Sequence, residues 1–545
     1  MKKWTLLSED QSQKTEDGII KIILSNRGLK TKKEIEEFLN PPNPFTLTAS
    51  RLDINQKEVD KAVRRIKKAI EKDEKIIVYG DYDTDGVCAT AIMWQTLNSL
   101  GAKVMPYIPK RDEGYGMKIE KLEEFRKSGV GLIVTVDQGI IACEQVEHAN
   151  KIGLDVIITD HHLPEREKPK AEAIIHTTEL AGAGVAWFLA AKIGKPGREL
   201  AAIGTVCDIM PLVGANRSIV KYGLAELRKT KNPGLLALCK EAGIDPLKIG
   251  TYEIGYLLGP RINAAGRMDD AMDALRLLCT NNKDRAEEIA SKINQHNRNR
   301  QLLTEQMTTH ARNYWIAEES KGKFIFVSHE SYEEGIVGLV AGRLMEEFYL
   351  PTVIVSKGAQ YSRASARSIN GFNMVEAIRA CSDILGAHGG HAMAAGFTIE
   401  TKKLDELKER LILLSEKTLS DELLTPVIKI DLELGCGNLD FSLCKKISEF
   451  EPFGISNPEP VFLTRDLTVT DARQVGNKGA HLKLKVSCPD TGKTFDAIGF
   501  GFGKHFSQLK PDTVIDLVYY LVEDSWNGQE RIQLKLKDLK INNGN

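Results

Sequence analysis

The sequence Lys75-Ile-Ile-Val-Tyr-Gly-Asp-Tyr-Asp-Thr-Asp-Gly86 gives the first indication of the fold. It starts with an apolar run of strand length and ends with three aspartates at alternate positions. The apolar stretch over residues 87–100 that follows is typical of a helix. Further apolar runs at residues 132–137 and 154–160 repeat the strand pattern, and helical stretches lie between them. This alternation predicts an α/β fold with a doubly wound parallel sheet.

Acidic residues and histidines follow each of these strands. The candidates are Asp81, Asp83, Asp85, Asp137, the run Asp160-His161-His162, and Asp208 further along the chain. Ligand sites in open α/β sheets form beyond the carboxyl ends of the strands, so these side chains are expected at one edge. Carboxylates this close repel one another unless cations lie between them. Oxygen ligands with an imidazole suit Mn²⁺ or Mg²⁺, and a pair of such ions is the usual apparatus for phosphoryl displacement.

Each part of this pattern has a simpler interpretation. Asp-x-Asp-x-Asp-Gly also begins an EF-hand loop, but that loop ends in a glutamate, and Ile92 occupies the corresponding position. Asp137 alone is compatible with a helix cap, and a His-His pair at a strand end is often structural. Their coincidence at successive strand ends favours a metal cluster over these separate explanations.

Outside this region the pattern predicts four further segments. A helical segment over residues 1–50 precedes the first α/β domain, residues 51–283. A polar stretch without Gly or Pro predicts a connecting helix over 284–315, and a second α/β domain follows over 316–425. Short alternating strands after residue 425 predict a small antiparallel barrel over 426–545.

Composition excludes several classes of protein. With 42% hydrophobic and 27% charged residues and a net charge of -1, the chain is an ordinary globular protein without a bulk-charge preference for nucleic acid. It has no apolar run long enough to span a membrane. Its nine cysteines are scattered and odd in number, which predicts reduced thiols and a cytoplasmic location.

The motifs resemble those of the DHH phosphoesterase superfamily. Asp81-Tyr-Asp-Thr-Asp-Gly, Val136-Asp-Gln-Gly-Ile, Thr159-Asp-His-His-Leu-Pro and Gly204-Thr-Val-Cys-Asp are similar to its four signature segments. Ser365-Ala-Arg-Ser-Ile-Asn, Gly389-Gly-His-Ala-Met-Ala-Ala-Gly and the segment from Gly259 to Met268 narrow the resemblance to its single-strand-specific DNA exonucleases. The second α/β domain is similar to a DHHA1 domain, and the barrel is similar to an OB-fold.

The resemblance implies roles for individual residues. Asp81 and Asp83 would hold one Mn²⁺ or Mg²⁺, Asp85, His161 and Asp208 the second, and Asp137 would bridge them. His162 would contact the scissile phosphate or assist proton transfer. The residues implied to contact substrate are Arg261, Arg267, Ser365, Arg367, Asn370, Gly389, Gly390 and His391. The barrel would offer His481, Lys483 and Trp526 to a single strand.

The function expected from this resemblance is hydrolysis of single-stranded DNA from its 5′ end to 5′-mononucleotides, in recombination and repair. A monomer working with a helicase and a single-strand-binding protein, and with no membrane, is implied. Two alternatives remain open: a phosphodiesterase for short oligonucleotides or cyclic dinucleotides, and a non-catalytic DNA-binding scaffold. The barrel argues against the first, because small substrates need no extended platform, and the complete ligand set argues against the second.

Overall fold

The described helices of the N-terminal segment pack into the core of the C-terminal barrel. The computed structural model describes residues 2–8, 15–110, 113–114, 116–164, 167–268, 270–318, 322–526 and 529–542, without the side chains of 525–530. The first elements are β1 (Lys3–Leu6), α1 (Glu16–Asn26) and α2 (Lys32–Leu39). A capping box of Thr31 and Glu34 starts α2. Ile19, Ile23 and Phe38 are buried together with the inward-facing residues of the barrel.

Five parallel strands form the sheet of the first α/β domain, and the predicted doubly wound fold is confirmed. The strands are β2 (Lys75–Tyr79), β3 (Lys103–Tyr107), β4 (Val130–Val136), β5 (Asp155–Asp160) and β6 (Ala173–His176), in the order β3-β2-β4-β5-β6. The helices around it are α3 (Gln56–Glu71), α4 (Thr84–Ser99), α5 (Ile119–Lys127), α6 (Cys143–Lys151) and α7 (Gly182–Ile193). The outer strands β3 and β6 were not predicted, because they are only partly buried and lack a continuous apolar run.

A helical region follows the sheet. It contains α8 (Glu199–Cys207), α9 (Gly214–Leu227), α10 (Pro233–Ala242), a π-helical segment (Glu253–Leu258), α11 (Gly259–Met268), α12 (Ala271–Cys279) and the 35-residue α13 (Lys283–Ala317). The last of these corresponds to the predicted connecting helix. Among the residues that the structure describes, no helix is both long and apolar enough to cross a bilayer.

The second α/β domain contains a mixed five-stranded sheet. Its elements are β7 (Ile325–His329), α14 (Val337–Phe348), β8 (Thr352–Ser356), β9 (Tyr361–Arg367), α15 (Met374–Arg379), β10 (Leu385–His391), β11 (Ala394–Glu400) and α16 (Leu404–Thr418). The strand order is β10-β11-β9-β8-β7, and only β7 and β8 are parallel. The sequence pattern revealed neither β9 nor β10. Their Ser-, Arg- and Gly-rich sequences carry no apolar strand signal.

The C-terminal strands close into the predicted barrel. The elements are β12 (Val427–Ile430), which pairs with β1, then β13 (Leu432–Glu433), α17 (Phe441–Ser448), β14 (Phe462–Val475), β15 (His481–Ser487), β16 (Thr494–Gly499), β17 (Val514–Trp526) and β18 (Gln529–Ile541). Strands β14, β15, β16, β18 and β17 pair in that order, and β17 pairs back with β14. The barrel is not wholly antiparallel as predicted, because β16 and β18 pair in parallel. Closure of five strands removes the free edges and is consistent with an OB-fold.

One expectation about the cysteines is wrong. The structure joins Cys436 and Cys488 in a disulfide, and the other seven cysteines are free. The two residues are 52 positions apart, with 6.4 Å between their Cα atoms. Cys436 follows β13 and Cys488 follows β15, so the barrel brings together residues whose spacing in the chain shows no pairing.

The first α/β domain and the barrel share one structural unit, which consists of Trp4–Asn263, Ala271–Ala290 and Lys429–Asn545. A smaller unit contains mainly Ala264–Asp270 and Ser291–Ile428. Within the larger unit, Arg217 of α9 is only 1% exposed. Its guanidinium donates to Phe38 O at 2.6 Å, Phe450 O at 2.9 Å and Glu451 O at 3.0 Å, and lies over the Phe38 ring. Burial, with a contribution from Arg27, lowers the pKa of Arg217 to about 10, so it stays charged at neutral pH.

We predict that Arg217→Met lowers the free energy of unfolding of the larger unit by about 3 kcal/mol or more, because buried carbonyl groups lose their donors. Urea unfolding followed by fluorescence measures the change. The control is Arg51→Met, whose side chain is 45% exposed and pairs with Glu37; it should cost no more than about 0.5 kcal/mol. Equal unfolding midpoints for the two variants would contradict the role assigned to Arg217.

Candidate metal centre

Three aspartates stand where neighbouring parallel strands end. Asp81 follows β2 after Gly80, Asp137 follows β4, and Asp160 is the last residue of β5. Since β2, β4 and β5 are adjacent, their carboxyl ends bring these side chains to one edge, where all three are buried. Asp137 has a φ of 61°, and its N–H donates to Thr159 O at 2.9 Å. This left-handed backbone conformation is uncommon outside glycine and occurs often at functional sites.

Two further aspartates belong to the start of α4. Asp83 caps the helix, and its Oδ1 accepts from Gly86 N at 2.9 Å. Asp85 lies in the first turn, where the backbone N–H groups of Gly182 and Ala183 donate to its two oxygens at 2.7 and 2.9 Å. These bonds hold the Asp85 carboxylate in one orientation.

His161 and Asp208 complete the cluster. Asp208 ends α8, and its Oδ2 lies 3.7 Å from His161 Nδ1. On the other side of the imidazole, Nε2 lies 3.2 Å from Asp137 Oδ1. Burial, with the nearby positive charge of His162, lowers the pKa of His161 to about 4. The ring is therefore neutral at neutral pH and has a lone pair available for a metal ion.

The electrostatics of the cluster require positive charge. Burial first and the charge of Asp83 second raise the pKa of both Asp81 and Asp208 to about 7. Burial and neighbouring carboxylates raise the pKa of Asp85 and Asp137 well above the ordinary value. Buried oxygens of Asp81 and Asp137 have no hydrogen-bond partner. Unsatisfied buried carboxylate oxygens that point into a common space are what a divalent cation would neutralise.

The structure brings together all six residues that the sequence analysis assigns to metal binding. Asp81, Asp83 and Asp137 can place one donor atom each within 4.8 Å of one another, and so can Asp85, His161 and Asp208. A third set, Asp137, His161 and His162, shares members with both. Carboxylate oxygens with one or two imidazoles and no thiolate fit Mn²⁺ or Mg²⁺.

Asp160 has a supporting role that the sequence analysis missed. Its Oδ1 accepts from the backbone N–H of His161 at 2.7 Å and contacts Nδ1 of His162 at 2.8 Å. Its Oδ2 accepts from Ile140 N at 2.8 Å. Burial acts to raise the pKa of Asp160, but the hydrogen bonds from His162 and the backbone hold it below the ordinary value. The same contact raises the pKa of His162 against the opposing effect of burial.

Two glycines allow the backbone to approach the carboxylates closely. A Cβ on Gly182 would overlap the Asp137 side chain, and a Cβ on Gly204 would overlap Asp85 and Ala183. The run Ala181-Gly-Ala-Gly184 was the available signal in the sequence, because closely spaced glycines often mark close approach of the backbone.

In the smaller unit, Ser365, Arg367, Gly389 and His391 of the predicted substrate-contact residues lie on one face of the sheet. Ser365 of β9 stands opposite Gly396 of β11, which stands opposite Gly389 of β10; Arg367, Ala394 and His391 form the next row. These two rows share one face of the sheet. Gly338 of α14 lies close to this face, since a Cβ there would be 3.0 Å from Ser365 Oγ. The Arg367 guanidinium donates to Ser365 Oγ at 3.0 Å, and burial lowers its pKa.

The remaining candidates are placed elsewhere. Gly390 occupies the intervening position of β10, at a φ of 142° that favours glycine, and Asn370 is exposed in the turn after β9. Arg267 donates to Gly335 O at 2.9 Å, and Arg261 donates to Leu257 O at 2.7 Å.

On the barrel, His481 Nδ1 accepts from Gly501 N at 3.1 Å, and Lys483 points outward from β15. The side chain of Trp526 lies outside the described residues.

Three regions of the chain match models of known protein families. The chain matches the N-terminal domain of the DHH family over residues 75–207, the DHHA1 domain over 321–416 and the RecJ OB domain over 430–538. Fold and site together define a DHH-type phosphoesterase with a DHHA1 domain and an OB-fold.

Individual relatives narrow the assignment. The chain is 36% identical over 540 residues to the single-stranded-DNA-specific exonuclease RecJ of Bacillus subtilis (strain 168), covering 96% of this chain and 68% of that protein. It also resembles crystal structures of RecJ from Thermus thermophilus, at 28% identity and with coverage of 99% of this chain. The TM-score is 0.83 for the complex with Mn²⁺ (79% of that chain) and 0.75 for the complex with Mg²⁺ (78%). This chain belongs to the RecJ family.

We predict that Gly182→Ala lowers Mn²⁺ affinity by at least about tenfold, because the added methyl group displaces the Asp137 carboxylate. Calorimetric titration with Mn²⁺ measures the effect, and circular dichroism checks the fold. Gly342→Ala is the matched control, since a Cβ there meets no atom within 4 Å. If both variants bind Mn²⁺ as the parent does, Gly182 does not shape the site.

Proposed function

We infer that this protein is a metal-dependent exonuclease that hydrolyses single-stranded DNA. The observation that carries this inference is the convergence of five carboxylates and His161 at one sheet edge, in a member of the RecJ family. The Bacillus and Thermus relatives are named RecJ, and the Thermus enzyme binds Mn²⁺ and Mg²⁺. The presence of an OB-type domain supports a polymeric substrate, because a dinucleotide needs no such extended surface.

Two divalent cations, Mn²⁺ or Mg²⁺, are proposed as cofactors. Asp81 and Asp83 would hold one ion, Asp85, His161 and Asp208 the other, and Asp137 would contact both. Bound there, the pair would lower the pKa of a water molecule and stabilise the charge on the leaving oxygen. The chain's own contribution is orientation: backbone N–H groups of Gly182 and Ala183 hold Asp85, and burial keeps His161 neutral.

His162 is proposed as the residue that handles the proton or contacts the scissile phosphate. Its side chain is 43% exposed, whereas its partner Asp160 is buried. The contact between Nδ1 and Asp160 fixes the ring and raises its pKa, so the other ring nitrogen can carry a proton towards substrate.

The smaller unit is proposed to bind the nucleotide that is removed. Ser365, Arg367 and His391 share one face with Gly389, and a guanidinium on such a face can bind a phosphate through two hydrogen bonds. The smaller unit would correspond to the predicted DHHA1 domain, and the barrel would bind the strand non-specifically.

Cleavage from the 5′ end with release of 5′-mononucleotides, in recombination and repair, is proposed from family membership. We also propose on the same basis that the protein acts as a cytoplasmic monomer on strands opened by a helicase and bound by a single-strand-binding protein.

The direct test is digestion of a single-stranded oligonucleotide labelled at either end. We expect Mn²⁺-dependent release of labelled mononucleotide from the 5′ end, no cleavage in chelator, and loss of activity by at least about 10³-fold in Asp137→Ala. Gel electrophoresis resolves the products. Asp60→Ala, on the exposed surface of α3, should retain full activity.

Other outcomes of this digestion would change the assignment. Release of label from the 3′ end first would reverse the polarity. Survival of long strands with hydrolysis of very short oligonucleotides would support the short-substrate phosphodiesterase instead. No Mn²⁺-dependent cleavage of any substrate would contradict the enzyme assignment.

For His162→Ala we predict that kcat falls by about 10²-fold or more while Mn²⁺ affinity stays within about threefold, because a proton-handling group is lost and the metal ligands remain. Steady-state kinetics and calorimetry give the two quantities. His148→Ala on α6 serves as the control for loss of an imidazole. If Mn²⁺ affinity collapses with kcat, His162 is a metal ligand.

A further inference from the structure

A groove of about 570 Å³ runs beside the candidate metal centre within the larger unit. One wall comes from the residues on either side of Asp208, including Ile209, and from the start of the π-helical segment, with Tyr252 just before it and Tyr256 within it. The other wall comes from the C-terminal region, with Phe453, Tyr520 and Lys535. Hydrogen bonds hold the walls together: Leu212 N donates to Ile455 O and Thr251 Oγ1 to Phe453 O, both at 2.8 Å. The groove is therefore formed in advance of any ligand.

Two tyrosines that line this groove have most of their surface exposed, so they are not part of the protein core. Tyr252 is 59% exposed and Tyr256 is 70% exposed. Their rings are stacked, with centroids 4.9 Å apart and planes inclined by 27°. Tyr256 lies in the π-helical segment and Tyr252 immediately precedes it; this backbone geometry is rare and is often associated with functional sites. Ile209 is 67% exposed nearby, at a φ of 58°. A surface of this kind suits the flat faces of nucleic acid bases.

Positive charge continues from the groove across the barrel. Lys535 of β18 stands opposite Tyr520 of β17 on one side and Ile498 of β16 on the other. Ile498 stands opposite Lys483 of β15, which stands opposite Arg473 of β14. None of these side chains points into the core, so the five strands carry one outward-facing row from Arg473 to Tyr520.

The charge of this row is only partly compensated. Arg473 pairs with Asp471 at 2.7 Å, and Glu459 lines the groove near Lys535. Lys537 donates to Tyr520 Oη at 2.8 Å and lies over its ring at 4.9 Å, which fixes that aromatic face. Aromatic faces interleaved with cations form the usual surface for a single strand bound without regard to sequence.

We propose that this groove binds the uncut part of the single-stranded DNA next to the metal centre, with bases stacked on Tyr252 and Tyr256 and backbone phosphates along Lys535, Lys483 and Arg473. The proposal rests on the proposed exonuclease function and adds the path of the strand. Of the three barrel residues predicted to bind the strand, the proposal uses Lys483, which stands between Arg473 and Ile498 in the outward-facing row.

The test compares Tyr252→Ala/Tyr256→Ala with Tyr252→Phe/Tyr256→Phe, both in the Asp137→Ala chain so that the strand is not cut. Fluorescence anisotropy with a labelled strand of about 20 nucleotides gives the affinity. Stacking contributes about 1–3 kcal/mol per base, so the alanine pair should lose at least about tenfold. The phenylalanine pair retains the ring faces and should bind as its parent does. Tyr314→Ala, an exposed tyrosine of α13, is the matched control and should also bind normally.

A second measurement locates the contact. Strands with a single 2-aminopurine placed at successive positions should show quenching at one or two positions, and the alanine pair should lose it. In the otherwise unmodified chain, the alanine pair should raise KM for the same strand and change kcat by no more than about twofold.

Unchanged affinity and quenching in the alanine pair would overturn the proposal and leave the groove for a partner protein. Equal losses in the alanine and phenylalanine pairs would also overturn it, because stacking would not be the cause. These outcomes are separable from failure of the proposed function, which would appear as absence of Mn²⁺-dependent cleavage by the unmodified chain.

Discussion

Mutual repulsion among buried carboxylates is the constraint on which the rest of the site depends. Asp81, Asp85, Asp137 and Asp208 all have raised pKa values because burial and neighbouring negative charge oppose ionisation. Such a cluster reduces the stability of the protein alone, and divalent cations relieve the repulsion when they bind. The surrounding backbone is arranged to tolerate the crowding, since Gly182 and Ala183 donate N–H groups to Asp85 and a Cβ on Gly182 would overlap the Asp137 side chain.

The histidine pair shows how one neighbouring carboxylate gives adjacent, chemically identical side chains different states. Burial and the charge of His162 keep His161 neutral, as a metal ligand requires. Asp160 contacts His162 and favours its protonated form. Asp160 can stay ionised in the interior because three backbone N–H groups also donate to it. One buried carboxylate thus sets the position and the charge of the neighbouring imidazole.

The sequence predicted the parts of the fold that have strong local patterns. Strands β2, β4 and β5 are continuous apolar runs, and α13 is a long polar stretch without Gly or Pro, so both were recognised. Strands β9 and β10 were missed because their stability comes from pairing with β11. The pairing of Cys436 with Cys488 and the role of Asp160 were missed for a related reason: both depend on contacts made only after the chain has folded.

The sequence by itself predicted which residues form the candidate metal centre, since ligand sites lie beyond the carboxyl ends of parallel strands and several of these residues follow such ends. It also determined the family resemblance, because the motifs are contiguous. Only the tertiary structure decided the groove with Tyr252 and Tyr256 and the outward-facing row across the barrel. The members of that row, Arg473, Lys483, Ile498, Lys535 and Tyr520, come from five strands, and strand register alone makes them neighbours. These residues lie on separate segments of the chain, so their side chains become neighbours only when the barrel has formed.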